Sequence, residues 1–129
     1  MSRIDDVLAE ARAHLDRVSP AEAAAEPDVL FVDIRPAHDR AAEGEIPGSL
    51  PVERIVLEWR LDPNGEHRLA EIAEDTRVVV VCNEGYASSL AARDLRALGL
   101  HRATDLVGGF RAWAAAGLPV RPGPTPAIT

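Results

Sequence analysis

The only cysteine of the chain, Cys82, ends the run Val78-Val79-Val80-Val81 and opens the short segment Asn83-Glu84-Gly85-Tyr86-Ala87. Four β-branched residues in a row predict a strand buried on both faces. From Ser88 to Leu98 the apolar residues Leu90, Ala91, Leu95 and Leu98 recur at helical spacing. The thiol therefore lies between the carboxyl end of a strand and the start of a helix. In open α/β sheets ligands bind beyond that end of the strands. A loop of this length can curl its N–H groups onto the sulfur. The helix start adds partial positive charge. Both effects favour thiolate over thiol and would hold an anionic sulfur species once formed. Beside this stands the plainer reading of a small buried hydrophobe at the end of a valine run.

One cysteine excludes an internal disulfide, a cysteine-based zinc cluster and a resolving partner for dithiol exchange. His14, His38, His67 and His101 are scattered, without the close spacing of a metal pair, so no metal site is expected. Phosphatase chemistry on a cysteine loop needs an arginine six residues after the thiol to grip three phosphate oxygens. Position 88 is Ser, and the loop holds no arginine.

The elements around the thiol alternate. Residues 1–16 read as an amphipathic opening helix, with Ile4, Val7, Leu8, Ala11 and Leu15 on one face and Asp5, Asp6 and Glu10 toward its start. Ser19-Pro20 with Glu22 is a capping box that starts a short helix to about Ala25. Val29 to Ile34 is a strand, and Pro36 to Glu43 a short helix closed by Gly44. Ser49 to Val52 is a brief strand, and Glu53 to Leu61 has helical spacing. A turn at Asp62-Pro63-Asn64-Gly65 precedes a small helix from Leu69 to Ala73. After the Cys82 helix, capped by Gly99, come a strand from Ala103 to Val107 and a helix from Phe110 to Ala116. The tail, residues 121–129, is Pro-rich and is expected to be loose. Alternating strands and helices imply a parallel sheet with helices on both faces.

A length of 129 residues is one domain. An apolar fraction of 47% and a charged fraction of 27% fit a globular protein. The net charge of −7 argues against nucleic acid or anionic lipid as partner. No apolar stretch reaches the roughly 20 residues of a membrane span. The opening residues lack the apolar core of a signal peptide. The expectation is a soluble, cytoplasmic protein.

Four segments together resemble the single-domain rhodaneses. They are Asp33-Ile34-Arg35 after a strand, Gly44-Glu45-Ile46-Pro47-Gly48-Ser49, Val81-Cys82-Asn83-Glu84-Gly85-Tyr86-Ala87-Ser88, and Leu106-Val107-Gly108-Gly109-Phe110 with Trp113 and Gly117-Leu118-Pro119-Val120. Order and spacing agree over residues 17–120, and the opening helix lies outside. The resemblance implies a five-stranded parallel sheet flanked by helices. It also implies a sulfurtransferase in which Cys82 takes a sulfane sulfur as a persulfide and passes it to a thiol or another nucleophile, without a cofactor. Asn83, Glu84, Gly85, Tyr86, Ala87 and Ser88 would form the substrate cradle, with Arg35 beside it. Apart from the resemblance, Arg60 is a candidate cation from outside the loop, the other reading being a place on the solvent face of a helix. Arg54 and Trp59 belong to the segment that would fold over the cradle. Asp33 would brace the active-site end together with Arg35, and Gly108, Gly109 and Trp113 would pack the core.

The departures bear on substrate. Active loops of the family often read Cys-Arg-x-Gly-x-Arg, and here Asn83 and Ala87 hold the arginine places while Glu84 adds a negative charge. A misplaced charge at about 4 Å costs several kcal/mol at an effective dielectric near 20. Thiosulfate, a dianion, is thus expected to be a poor donor, and a persulfide or a persulfide-bearing protein a better one. The alternative is a non-catalytic module of the same fold that binds a partner protein or senses oxidation.

Overall fold

Strand β3 (Arg77–Val81) runs through the centre of the molecule with every residue buried. It pairs in parallel with β1 (Val29–Asp33) on one side and β4 (Thr104–Asp105) on the other. β2 (Leu50–Pro51) adds to the far edge of β1, giving the order β2-β1-β3-β4. This computed structural model describes residues 2–129.

Because side chains alternate across a strand, β3 feeds two cores. Val78, Val80 and Cys82 face Leu57, Leu61, Ala91, Ala92 and Leu95. These come from α4 (Leu57–Leu61), preceded by a single 3-10 turn, and α5 (Ala87–Ala97). Val79 and Val81 face Ala23, Phe110 and Trp113. These come from α2 (Pro20–Ala25) and α6 (Gly109–Ala115). Trp113 packs edge-on against Phe31 and donates its indole N–H to Pro119 O at 2.8 Å. The opening helix α1 (Arg3–Ala13) lies on α5 with Ala11 fully buried. α3 (Ala37–Glu43) follows β1 and ends at Gly44.

The structure corrects three expectations. The sheet has four strands rather than five. What would be the fifth is a single parallel bridge between Val18 and Leu106. The chain cannot extend it, because Ser19 caps α2 and Pro20 has no N–H to donate. Leu69 to Ala73 forms turns, not a helix. Thr76 Oγ1 takes the Ala73 N–H and donates to Glu71 O, offering that backbone a local alternative to the helix. The tail is not loose. Glu45 and Arg121 exchange main-chain bonds of 2.8 and 2.9 Å, and Ile128 bridges to Val52. None of the described helices is long and apolar enough to cross a membrane.

Candidate active site

Cys82 leaves the carboxyl end of β3 with its side chain almost covered, 8% exposed. The sulfur lies in a cleft of about 460 Å³ lined by Arg35, Arg54, Asn83, Glu84, Tyr86 and Ala87. Two N–H groups point at Sγ, from Gly85 at 3.2 Å and from Ser88 at 3.4 Å. The Gly85 backbone has φ +83°. A Cβ there would stand 2.8 Å from Gly108 N, so only glycine fits this curl.

The cradle is made by pulling the loop carbonyls outward. In a trans peptide the C=O and N–H point in opposite directions. Cys82 O accepts from Phe110 N at 2.8 Å, and Asn83 O from Arg111 N at 3.1 Å. The start of α6 thus holds both carbonyls on the side away from the cleft. Gly109 makes this approach close, since a Cβ on it would lie 2.6 Å from Cys82 O. Gly85 O accepts from Arg12 Nη2 at 2.6 Å and Arg17 Nη2 at 3.0 Å. The N–H groups of Glu84, Tyr86 and Ala87 meet no acceptor among the described residues. These three residues line the cleft, and their N–H groups are not used inside the protein.

The Ser88 hydroxyl does not face the sulfur. It donates to Asp105 Oδ2 at 2.8 Å, as does Ser89 Oγ, and Arg17 Nε reaches the same carboxylate at 2.8 Å. Asp105 is fully buried. The sequence reading did not single out Arg12, Arg17 or Asp105. An aspartate inside the apolar stretch Ala103 to Val107 was the available signal, because a buried carboxylate needs partners. Nothing local marked the two arginines.

The charged side chains that line the cleft are paired. Arg35 binds Asp33 at 2.8 Å, gives Gly44 O a further bond and stacks 4.0 Å over the Phe110 ring. One terminal nitrogen, Nη1, is buried without a partner. Arg54 lies between Glu58 at 2.8 Å and Asp94 at 3.6 Å. Glu84 turns outward to Arg111, which also holds Glu43 at 3.0 Å. That bond keeps the Glu43 carboxyl below the usual carboxylate range, and Glu43 more than Glu84 raises Arg111. Asn83 Nδ2 donates to Asp39 at 3.2 Å, while its Oδ1 is buried without a partner. Arg60 is not part of the cleft. It sits on α4 and donates to His67 O at 2.7 Å. Trp59 is 61% exposed and also lies away from the sulfur.

Comparison with known proteins agrees with this geometry. The family model described as the rhodanese-like domain matches residues 19–116. A sulfurtransferase of Allochromatium vinosum is 40% identical over 95 residues, covering 72% of this chain and 78% of the relative. The thiosulfate sulfurtransferase GlpE of Pseudoalteromonas translucida is 32% identical over 103 residues, covering 80% and 90%. Among solved structures, a protein of unknown function from Rhodopseudomonas palustris, described as a possible tyrosine phosphatase, superposes with a TM-score of 0.84 at 32% identity. That match covers 94% of this chain and 96% of the other. A parallel sheet that delivers a lone thiol into a ring of its own amides, and a family match over most of the length, make this chain a member of the rhodanese-like domain family.

Proposed function

We propose that the protein is a sulfurtransferase that carries sulfane sulfur on Cys82. The observation that carries this reading is the pair of N–H groups on Sγ beside three more without acceptors. In the first step the Cys82 thiolate attacks the outer sulfur of a donor persulfide R–S–SH. The new S–S bond forms as the old one breaks, and R–S⁻ leaves with the electron pair and takes up a proton. The terminal sulfur on Cys82 then ionises, and the free amides stabilise its charge. In the second step an acceptor thiolate attacks that sulfur and Cys82 leaves as thiolate. The scheme uses no metal or organic cofactor.

The pairing of the cleft charges supports the choice of donor. Arg35 and Arg54, the cations that line the cleft, already have carboxylate partners, and Arg111 is shared by two. A dianion such as thiosulfate would meet dipoles but no unpaired guanidinium among the side chains that line the cleft, whereas a persulfide brings at most one charge. The donor is therefore a small persulfide or a persulfide-bearing cytoplasmic protein. A phosphatase reading, raised by the description of the Rhodopseudomonas structure, lacks its guanidinium fork, since position 88 is Ser and the loop holds no arginine.

Mass spectrometry after incubation with cysteine persulfide, polysulfide and thiosulfate tests the proposal. The expected result is one added sulfur from the persulfide, less from thiosulfate, and none in Cys82→Ser. No gain from any donor would overturn the enzyme and leave a binding or redox-sensing module.

A further inference from the structure

The opening helix α1 lies outside the matched family segment of residues 19–116, yet it touches the catalytic loop. Arg12 donates from Nη2 to Gly85 O at 2.6 Å and from Nε to Ser89 Oγ at 3.1 Å. Its guanidinium also lies 5.6 Å from the centroid of the Tyr86 ring, at the cleft wall. Arg17, the other guanidinium on Gly85 O, is neutralised by Asp105. Arg12 has no carboxylate within ion-pair distance among the described residues. It is the unpaired positive charge nearest the loop backbone.

We infer that Arg12 is a positioning residue for Cys82, replacing from behind the loop the positive charge that Asn83 and Ala87 no longer supply from within it. The mechanism runs through one residue. Gly85 offers its N–H to Sγ and its carbonyl to Arg12. A charge-assisted bond on that carbonyl fixes the 85–86 peptide with the Tyr86 N–H on the opposite side, and polarises it. A positive charge behind a ring of amides favours an anion in front of it. The same fork pins Ser89, in the first turn of α5, and the stacked Tyr86 ring. Lysine would keep the charge but not the two-acceptor geometry.

This deepens the proposed reading of Cys82 as nucleophile, but the test needs no sulfur donor. Alkylation of Cys82 by iodoacetamide is followed against pH in the full chain, with thermal melting recorded alongside. Arg12→Gln is expected to slow alkylation at neutral pH about three- to tenfold and to move the rate-against-pH curve to higher pH. Arg12→Lys should fall between it and wild type. Arg3→Gln removes the same charge from an exposed residue of the same helix and should leave the curve in place. Arg12→Met keeps the packing stem and serves if the glutamine variant melts early. Curves for Arg12→Gln or Arg12→Met that coincide with Arg3→Gln would overturn the inference. Persulfide loading of wild type is measured separately, so a failure there counts against the sulfurtransferase and not against Arg12.

Discussion

Cys82 and Glu45 are both buried groups that can carry a negative charge, and the fold treats them in opposite ways. Glu45 is surrounded by side-chain donors that finish the work. Arg40 reaches it at 2.7 Å, Arg121 at 3.2 Å and Thr125 Oγ1 at 2.6 Å, with the Thr125 N–H at 3.0 Å. Burial alone would push this carboxyl up, but those bonds outweigh it and hold it down to about 2. Around Cys82 the donors are main-chain amides, and those of Glu84, Tyr86 and Ala87 among them meet no acceptor. The first arrangement is a closed ion cluster that fastens the tail. The second is open, with main-chain donors that no protein group occupies. Glu84, Tyr86 and Ala87 are exposed residues, so water can satisfy these donors until an anion displaces it.

The largest effect should come from breaking the closed cluster. Glu45→Gln leaves Arg40 buried with no counter-charge, since both side chains are 1% exposed or less. The expected loss is about 3–5 kcal/mol in urea unfolding, as for other broken buried pairs. The tail should become accessible to proteases, while Cys82 alkylation changes little. A large change in Cys82 reactivity would mean that the two regions are coupled and the contrast between them is wrong.

The next effect sharpens the open site. Gly85→Ala forces a Cβ to within 2.8 Å of Gly108 N at φ +83°. The strain is on the order of 1–3 kcal/mol, and the loop must uncurl to relieve it. Sulfur loading from a persulfide donor should fall at least tenfold, with unfolding free energy reduced by less than in the Glu45 variant. Normal loading in a folded Gly85→Ala protein would show that the curl is not needed.

The strand–helix alternation, the Ser19 capping box and the loop were legible because each rests on neighbours in sequence. Glu22 returns its carboxylate to the Ser19 N–H at 2.9 Å, as the three-residue spacing implies. The valine run carries its own burial. What escaped depends on distant partners. Arg12 meets Gly85 across 73 positions, and Thr125 meets Glu45 across 80. A proline-rich tail gives no local sign that its carbonyls and hydroxyls have a buried charge to satisfy. Arg60 and Arg54 share one short segment and differ only in which way the turn before α4 aims them. Sequence alone leaves both as candidates, with the solvent face of a helix the other reading for Arg60, and the structure brings only Arg54 to the cleft.

Acid provides a third, smaller separation. The folded Glu45 value of about 2 lies below the ordinary 4.5. The stabilisation is therefore fully present above pH 4.5 and is lost as pH falls through the folded value. It amounts to on the order of 3 kcal/mol. Wild type should lose stability steeply between pH 4.5 and 2, and Glu45→Gln should lose less over the same window. Parallel curves for the two proteins would place the acid sensitivity elsewhere.

The smallest effect concerns the missing charge itself. Ala87 lines the cleft at the first position of α5. An arginine there would be a cleft-lining cation without a built-in carboxylate, unlike Arg35 and Arg54. It would sit at the positive end of the helix dipole, costing about 0.3–1 kcal/mol of stability. Ala87→Arg should therefore melt slightly earlier yet raise thiosulfate turnover about tenfold, the gain of one charge-assisted bond to the dianion. Turnover of a neutral persulfide should change much less. A rise for both donors would point to a general effect on Cys82. An unchanged thiosulfate rate would mean that the free amides alone set what the loop accepts. Stability and turnover move in opposite directions here for one physical reason: the donors that make the cradle repel a fixed cation until a mobile anion joins them.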